Sequence, residues 1–207
     1  MKLKKGAKIL ITVLVILALV GVGFGAYKMF FSKDKVTEAK VLKTIEKYGY
    51  TLKDNKSKKY QEMFTELDKI LKKDPVKEEE YVKQIAQMFV YDFYTLSDKT
   101  TKTDVGGTDF VFSTSLNNFL ENAEDTFYKY VESNIYNQRK QKLPTVDKIT
   151  IESTEKTSYA YGEKTDEDAY EVKVSWTYTD EAFNDYQKEA TLTFVHEDIK
   201  LSLAELN

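Results

Sequence analysis

Cysteine is absent from this chain of 207 residues, and histidine, tryptophan and arginine each occur once. Without cysteine there is no disulfide framework, no thiol nucleophile and no Cys-ligated zinc or iron–sulfur centre. The lone His196 excludes a multi-histidine metal site, and no cofactor-binding motif is present. Only two prolines interrupt the sequence. What is abundant is hydrophobic (42%) and charged (31%) residues, a balance that excludes collagen-like or disordered chains. The length suits one domain of ordinary size plus an appendage. Charge is placed unevenly: residues 1–31 hold five lysines and no acid, while residues 32–207 hold 26 basic and 34 acidic side chains.

Lys2, Lys4, Lys5 and Lys8 precede an uncharged run, Ile9 to Tyr27. Nineteen residues at 1.5 Å each make a helix of about 28 Å, matching the roughly 30 Å hydrocarbon core of a bilayer. Only a helix crosses there in one pass, because each backbone N–H and C=O needs an internal partner. Tyr27, Phe30 and Phe31 are interfacial anchors. A buried soluble helix would show a polar face, which this run lacks. A cleaved signal peptide is the rival reading, with Gly23 and Gly25 near a cleavage spacing, but the run exceeds the usual apolar stretch of about 7–15 residues. The lysine excess before the span places a cytoplasmic tail at 1–8, a transmembrane helix at 9–31 and an extracytoplasmic remainder at the plasma membrane.

Beyond the span, Val36, Ala39, Leu42, Ile45 and Tyr48 recur at helical spacing and predict a helical stalk within 32–75. Tyr60, Phe64, Leu67, Ile70 and Leu71 predict a second helix ending before Pro75. Pro75 and Glu78–Glu80 predict the start of a third, with Tyr81, Ile85, Met88, Phe89 and Phe93 on its apolar face. Residues 95–109 are turn-rich, and Phe110–Phe112 suit a brief strand. The longest helix is expected from Ser115, as cap, to Asn137, with a stripe running through Phe119, Ala123, Phe127, Tyr130 and Ile135. After Pro144 the period changes to alternation. Ile149 and Ile151, then Tyr170 to Tyr178, Ala190 to His196, and Leu201 with Leu203 predict four strands, joined by turns at 163–168, 179–184 and 197–198. Helices first and sheet last make an α+β domain over 76–207, with the long helix across a curved antiparallel four-strand sheet.

That element order, with the ending KEATLTFVHEDIKLSLAEL, resembles the nuclear transport factor 2-like superfamily. A basic tail, one span and such a domain also resemble the bitopic scaffold components of bacterial type IV secretion and conjugation systems. The resemblance covers residues 76–207, rests on element order and carries no catalytic residue over. It implies either an assembly module or a binder or enzyme with a pocket between the long helix and the sheet.

Candidate chemistry is sparse. His196 has the side chain of a general base but sits beside Glu197 and Asp198 at a hairpin end. Asp92, within Tyr91-Asp92-Phe93-Tyr94, has the aromatic surroundings that raise a carboxyl pKa and favour proton abstraction. Helical spacing nevertheless sets it off the Phe89–Phe93 stripe, as a solvated residue. Asp104-Val105-Gly106-Gly107 lacks a phosphate-binding pattern and reads as a tight turn. Arg139, at the expected end of the long helix, suits terminal carbonyls or an interface carboxylate. Tyr130, Trp176 and Phe194 line either a pocket or an ordinary core. The acidic balance disfavours nucleic acid. The sequence therefore predicts a non-enzymatic envelope module with membrane lipid and envelope proteins as partners and homo-oligomerisation as an option. A small-molecule site between helix and sheet, of isomerase or hydrolase type, is the alternative.

Overall fold

A computed structural model describes residues 39–207. The expected tail, membrane span and first residues of the stalk lie outside the described residues. Among the described residues no helix is long and apolar enough to cross a membrane.

Alternation, not helical spacing, governs the first described segment. Strands β1 (Val41–Ile45) and β2 (Tyr50–Lys53) pair antiparallel, with Ile45 opposite Tyr50. They turn through a 3-10 segment at Glu46–Tyr48 and through Gly49, whose φ of 68° is accessible to glycine without a Cβ clash. The expected stalk helix is thus corrected. Leu42 is exposed, whereas Ile45, Tyr48, Tyr50 and Leu52 enter the main core. The folded unit begins at Lys40 instead of residue 76.

Helix α1 (Lys58–Leu71) starts where Ser57 accepts a hydrogen bond from the Tyr60 N–H at 3.2 Å. Its stripe Tyr60, Phe64, Leu67, Ile70 and Leu71 is buried as expected. Asp68 ties it to β1 through Lys43 at 2.5 Å and to Lys72 at 2.8 Å. Helix α2 (Glu78–Tyr94) begins three residues after Pro75, with Glu78, Glu79 and Glu80 in its first turn. It is buried on every side of its second half, from Met88 to Tyr94, and forms the centre of the unit.

Helix α3 (Leu116–Asp125) is much shorter than expected, so α2 is the long helix. The chain leaves α3 at Thr126, whose backbone (φ −119°, ψ −90°) is not helical, and Ser115 makes no side-chain cap. Tyr130 and Ile135 continue the stripe in sequence, yet both are exposed. Phe110 closes a 3-10 turn, and Val111 forms a single parallel bridge to Leu203 in place of a strand.

The four predicted strands are present as β3 (Val146–Tyr161), β4 (Lys164–Tyr178), β5 (Glu189–Glu197) and β6 (Lys200–Leu206), an antiparallel meander in sequence order. The first turn is shorter than predicted, at Gly162 and Glu163. The described unit is therefore α+β, three helices packed with a four-strand sheet. Tyr170, Val172, Val174, Trp176 and Tyr178 face inward, as their alternation requires. The β3–β4 hairpin outruns β5, which pairs β4 only from Tyr170 to Ser175. The overhang bends back on the sheet: Asp166 accepts the His196 backbone N–H at 2.7 Å, and the Tyr161 ring packs on Phe112.

Candidate functional site

The space between helix and sheet that a ligand pocket requires is filled by side chains. Trp176 (3% exposed) lies against Tyr94 with ring centroids 4.2 Å apart, and Phe194 is fully buried. Both are core, whereas Tyr130 is 76% exposed, so these three residues do not meet. An apolar hollow lies elsewhere, beside edge strand β6. Phe93, Val111, Phe119, Ala123 and Leu203 line this open groove of about 380 Å³, with Asn118, Asn122 and Glu205 among its polar residues.

Asp92 is buried, not solvated. Helix α2 carries its carboxylate to a junction of two loops, where Lys56 reaches both oxygens at 2.6 and 2.7 Å. Lys99 donates at 3.0 Å and the Gly107 N–H at 2.8 Å. Burial pushes the Asp92 pKa up, but the charges of Lys99 and Lys56 and the bonds from Lys56 and Gly107 outweigh it and hold the group at about 2. The alternative of a raised pKa is reversed as well: this carboxylate stays ionised and its lone pairs are occupied. Lys99 is only 3% exposed; burial lowers its pKa, but Asp92 and Asp98 more than compensate and raise it overall. Lys56, Lys99 and Gly107 were invisible to periodicity because they come from loops. The Gly106-Gly107 pair was the one signal of a close backbone approach.

Arg139 connects this hub to the surface. Its guanidinium donates to the carbonyls of Lys99 (2.7 Å), Ser97 (2.8 Å) and Glu132 (3.2 Å). It therefore binds carbonyls, as one expectation had it, but from a loop and not a helix end. Residues 130–141 form a compact Ω-shaped loop closed by Gln141, which donates to the Tyr130 carbonyl and accepts from the Glu132 N–H. The Asn134 N–H donates to the Thr100 carbonyl at 2.7 Å, and the Asn134 side chain accepts from the Arg139 N–H. Just before the loop, Tyr128 is locked between the Phe93 carbonyl and the Gly106 N–H. With its backbone bonded inward, the loop turns Tyr130, Ile135 and Tyr136 outward, at 76%, 47% and 69% exposure.

Replacing Arg139 by Lys is expected to destabilise this loop locally by about 1–3 kcal/mol, because an ammonium cannot span three carbonyls as a planar fork does. Amide exchange at Glu132 and Asn134 should accelerate while the β4 amides stay protected. Equal protection in the Lys variant would show that charge alone holds the loop.

His196 is held between two carboxylates: Nδ1 lies 2.9 Å from Asp166 and Nε2 3.5 Å from Glu78. Glu78 also accepts from the Tyr170 hydroxyl at 3.2 Å. The arrangement joins the start of α2 to β4 and β5, and its spacing was hidden in sequence because the four side chains come from three elements. Among the described residues no group of three or more His, Asp or Glu is placed to hold a metal ion.

No protein-family model, curated protein or solved structure matches the chain.

Proposed function

We propose that the chain is a single-pass envelope protein whose extracytoplasmic α+β domain acts as a docking module for other envelope proteins. The observation that carries this reading is the groove between α3 and β6. Strand β6 is the sheet's edge: Phe112 already bonds the Leu203 carbonyl, and beyond that bridge the stretch Ala204–Leu206 borders an apolar floor suited to the side chains of an extended segment of another protein. The uncharged run Ile9–Tyr27 supports membrane attachment, which raises the local concentration of partners sharing the membrane. The resemblance to nuclear transport factor 2-like assembly modules, which rests on element order, agrees with this reading. A small-molecule ligand is the second reading, favoured by a groove volume within the range of ligand sites.

Asn122→Trp tests the proposal, since Asn122 is exposed at the groove and an indole there fills it without altering the core. Affinity capture from crosslinked membranes is expected to lose at least one specific partner by about tenfold, a change of roughly 1.4 kcal/mol in binding. An unchanged partner set would sink the groove as a docking site.

A further inference from the structure

The braced loop combines a basic balance with exposed aromatic and aliphatic side chains. Residues 129–142 carry Lys129, Arg139, Lys140 and Lys142 against one acid, Glu132, whereas residues 39–207 as a whole hold 24 basic and 32 acidic side chains. Lys129 and Lys140 are exposed, and the Lys129 ammonium lies 5.6 Å from the centre of the Tyr130 ring. Lys142 faces Asp180 only loosely, at 3.8 Å with both side chains open to water. Arg139 is spent on the carbonyls of Ser97, Lys99 and Glu132. Tyrosine and isoleucine tips, flanked in sequence by lysines, are thus presented on a rigid support in a domain of net acidic balance.

We propose that loop 130–141 docks on the anionic headgroup layer of a phospholipid membrane. Tyrosine rings settle at the level of lipid headgroups, with the hydroxyl toward water and the ring toward the acyl boundary. Each lysine close to an anionic surface raises partitioning by about fivefold, and the effect vanishes within a Debye length. All three tips are exposed, and Tyr136 also borders an open hollow with Glu132, Gln138 and Lys140, a contour suited to a soft layer that closes around it. Charge and apolar tips together supply the selectivity: lysines also gather at 53–59 and 69–77, but neither run exposes a large apolar side chain, whereas this basic loop presents Tyr130, Ile135 and Tyr136. The proposal rests on the membrane-attachment reading above, because a tethered domain meets lipid without the entropic cost of free association. It is independent of the protein docking groove.

The chain's lack of cysteine makes single-site spin labelling clean. Full-length protein carrying Ser133→Cys, in the loop, or Ser158→Cys, exposed on the β3–β4 hairpin, is labelled with a nitroxide and placed in nanodiscs. In discs with about 30% phosphatidylglycerol, the oxygen-to-nickel-chelate accessibility ratio at 133 is expected to exceed that at 158 by about threefold or more. The excess should disappear in phosphatidylcholine discs, in about 0.5 M salt, and in a Tyr130→Ser/Tyr136→Ser/Lys140→Gln background. Equal ratios at both sites in anionic discs would overturn the lipid proposal while leaving the tether intact. Protection at 133 seen only in discs made from native membranes would also overturn it, assigning the loop to a protein partner. A chain that fails to enter discs at all would overturn both the tether and the proposal.

Discussion

Asp92→Asn is expected to lower the stability of the domain by about 3–5 kcal/mol, measured by denaturant unfolding followed by circular dichroism. The carboxamide keeps the shape of the carboxylate but removes the charge that compensates Lys99, whose ammonium is 3% exposed and retains only Asp98, at 3.1 Å. Breaking one side of a buried ion pair costs more than the pair itself contributes, because the remaining charge stays desolvated. The effect should spread along named bonds. Gly107 loses a charged acceptor, the 98–107 loop loosens, and the Lys99 carbonyl that Arg139 holds moves with it. Lys56→Met removes a more exposed partner, 24% accessible, and is expected to cost less. Equal losses for the two variants would show that burial does not set the hierarchy.

The same carboxylate makes stability depend on acid. Its folded pKa of about 2 lies below the ordinary aspartate value of 3.8, so the unfolded chain binds the proton first. The contribution, about 2 kcal/mol, is complete above pH 4 and is lost as the pH falls from about 4 toward 2. In the Asn variant that part of the acid dependence should be missing. If the wild type and Asp92→Asn lose stability in parallel between pH 4 and 2, the group is not ionised and paired as its geometry requires.

Gly106→Ala is the second large effect, at about 3–5 kcal/mol, and it acts by contact distance alone. A Cβ at this position would stand 2.0 Å from the Asp92 carbonyl oxygen and 2.5 Å from its carbon, both backbone atoms of a buried helix. Neither can swing aside as a flexible side chain would. The loop must lift from α2, breaking the bond from the Gly106 N–H to the Tyr128 hydroxyl and from the Gly107 N–H to Asp92. Gly162→Ala is the control: nothing lies within 4 Å of its Cβ, and only its φ of +59° opposes alanine. That strain costs about 1–2 kcal/mol. Thermal unfolding of the two variants should separate them clearly; a Gly106 variant as mild as Gly162 would mean that the loop is not seated on the helix.

Both effects converge on one arrangement. Asp92 at the end of α2 gathers Lys56 and Lys99, Gly106 lets the loop approach, and Arg139 then fastens the exposed 130–141 loop to that loop's carbonyls. A surface feature is thereby given the rigidity of the core beneath it, which is what a docking loop needs to engage a partner without losing ordering entropy.

The α1 stripe and the four strands were legible because each is covered by neighbours in a regular layer, so burial follows the element's own period. Tyr60, Phe64, Leu67 and Ile70 repeat every three or four residues, and Tyr170 through Tyr178 every two, and each set is buried as a set. The false stalk helix and the overlong estimate of α3 arose where that condition fails. Between residues 39 and 48 the apolar spacing mimicked a helix, while the short alternation of Tyr50 and Leu52 held the information that mattered. From Thr126 onward, Tyr130 and Ile135 sustain a stripe that nothing covers.

The sequence by itself thus determined the membrane-length apolar run, the uneven charge, the helix-to-sheet order and the inward faces of the strands. Tertiary structure alone decided that Asp92 is an ionised hub, that α3 stops at Asp125, and that Arg139 braces a loop against carbonyls 40 and 42 residues away. The reason is physical. A repeating pattern records which side of an element avoids water, whereas the partner of a single charge is fixed by loops whose paths follow no repeat.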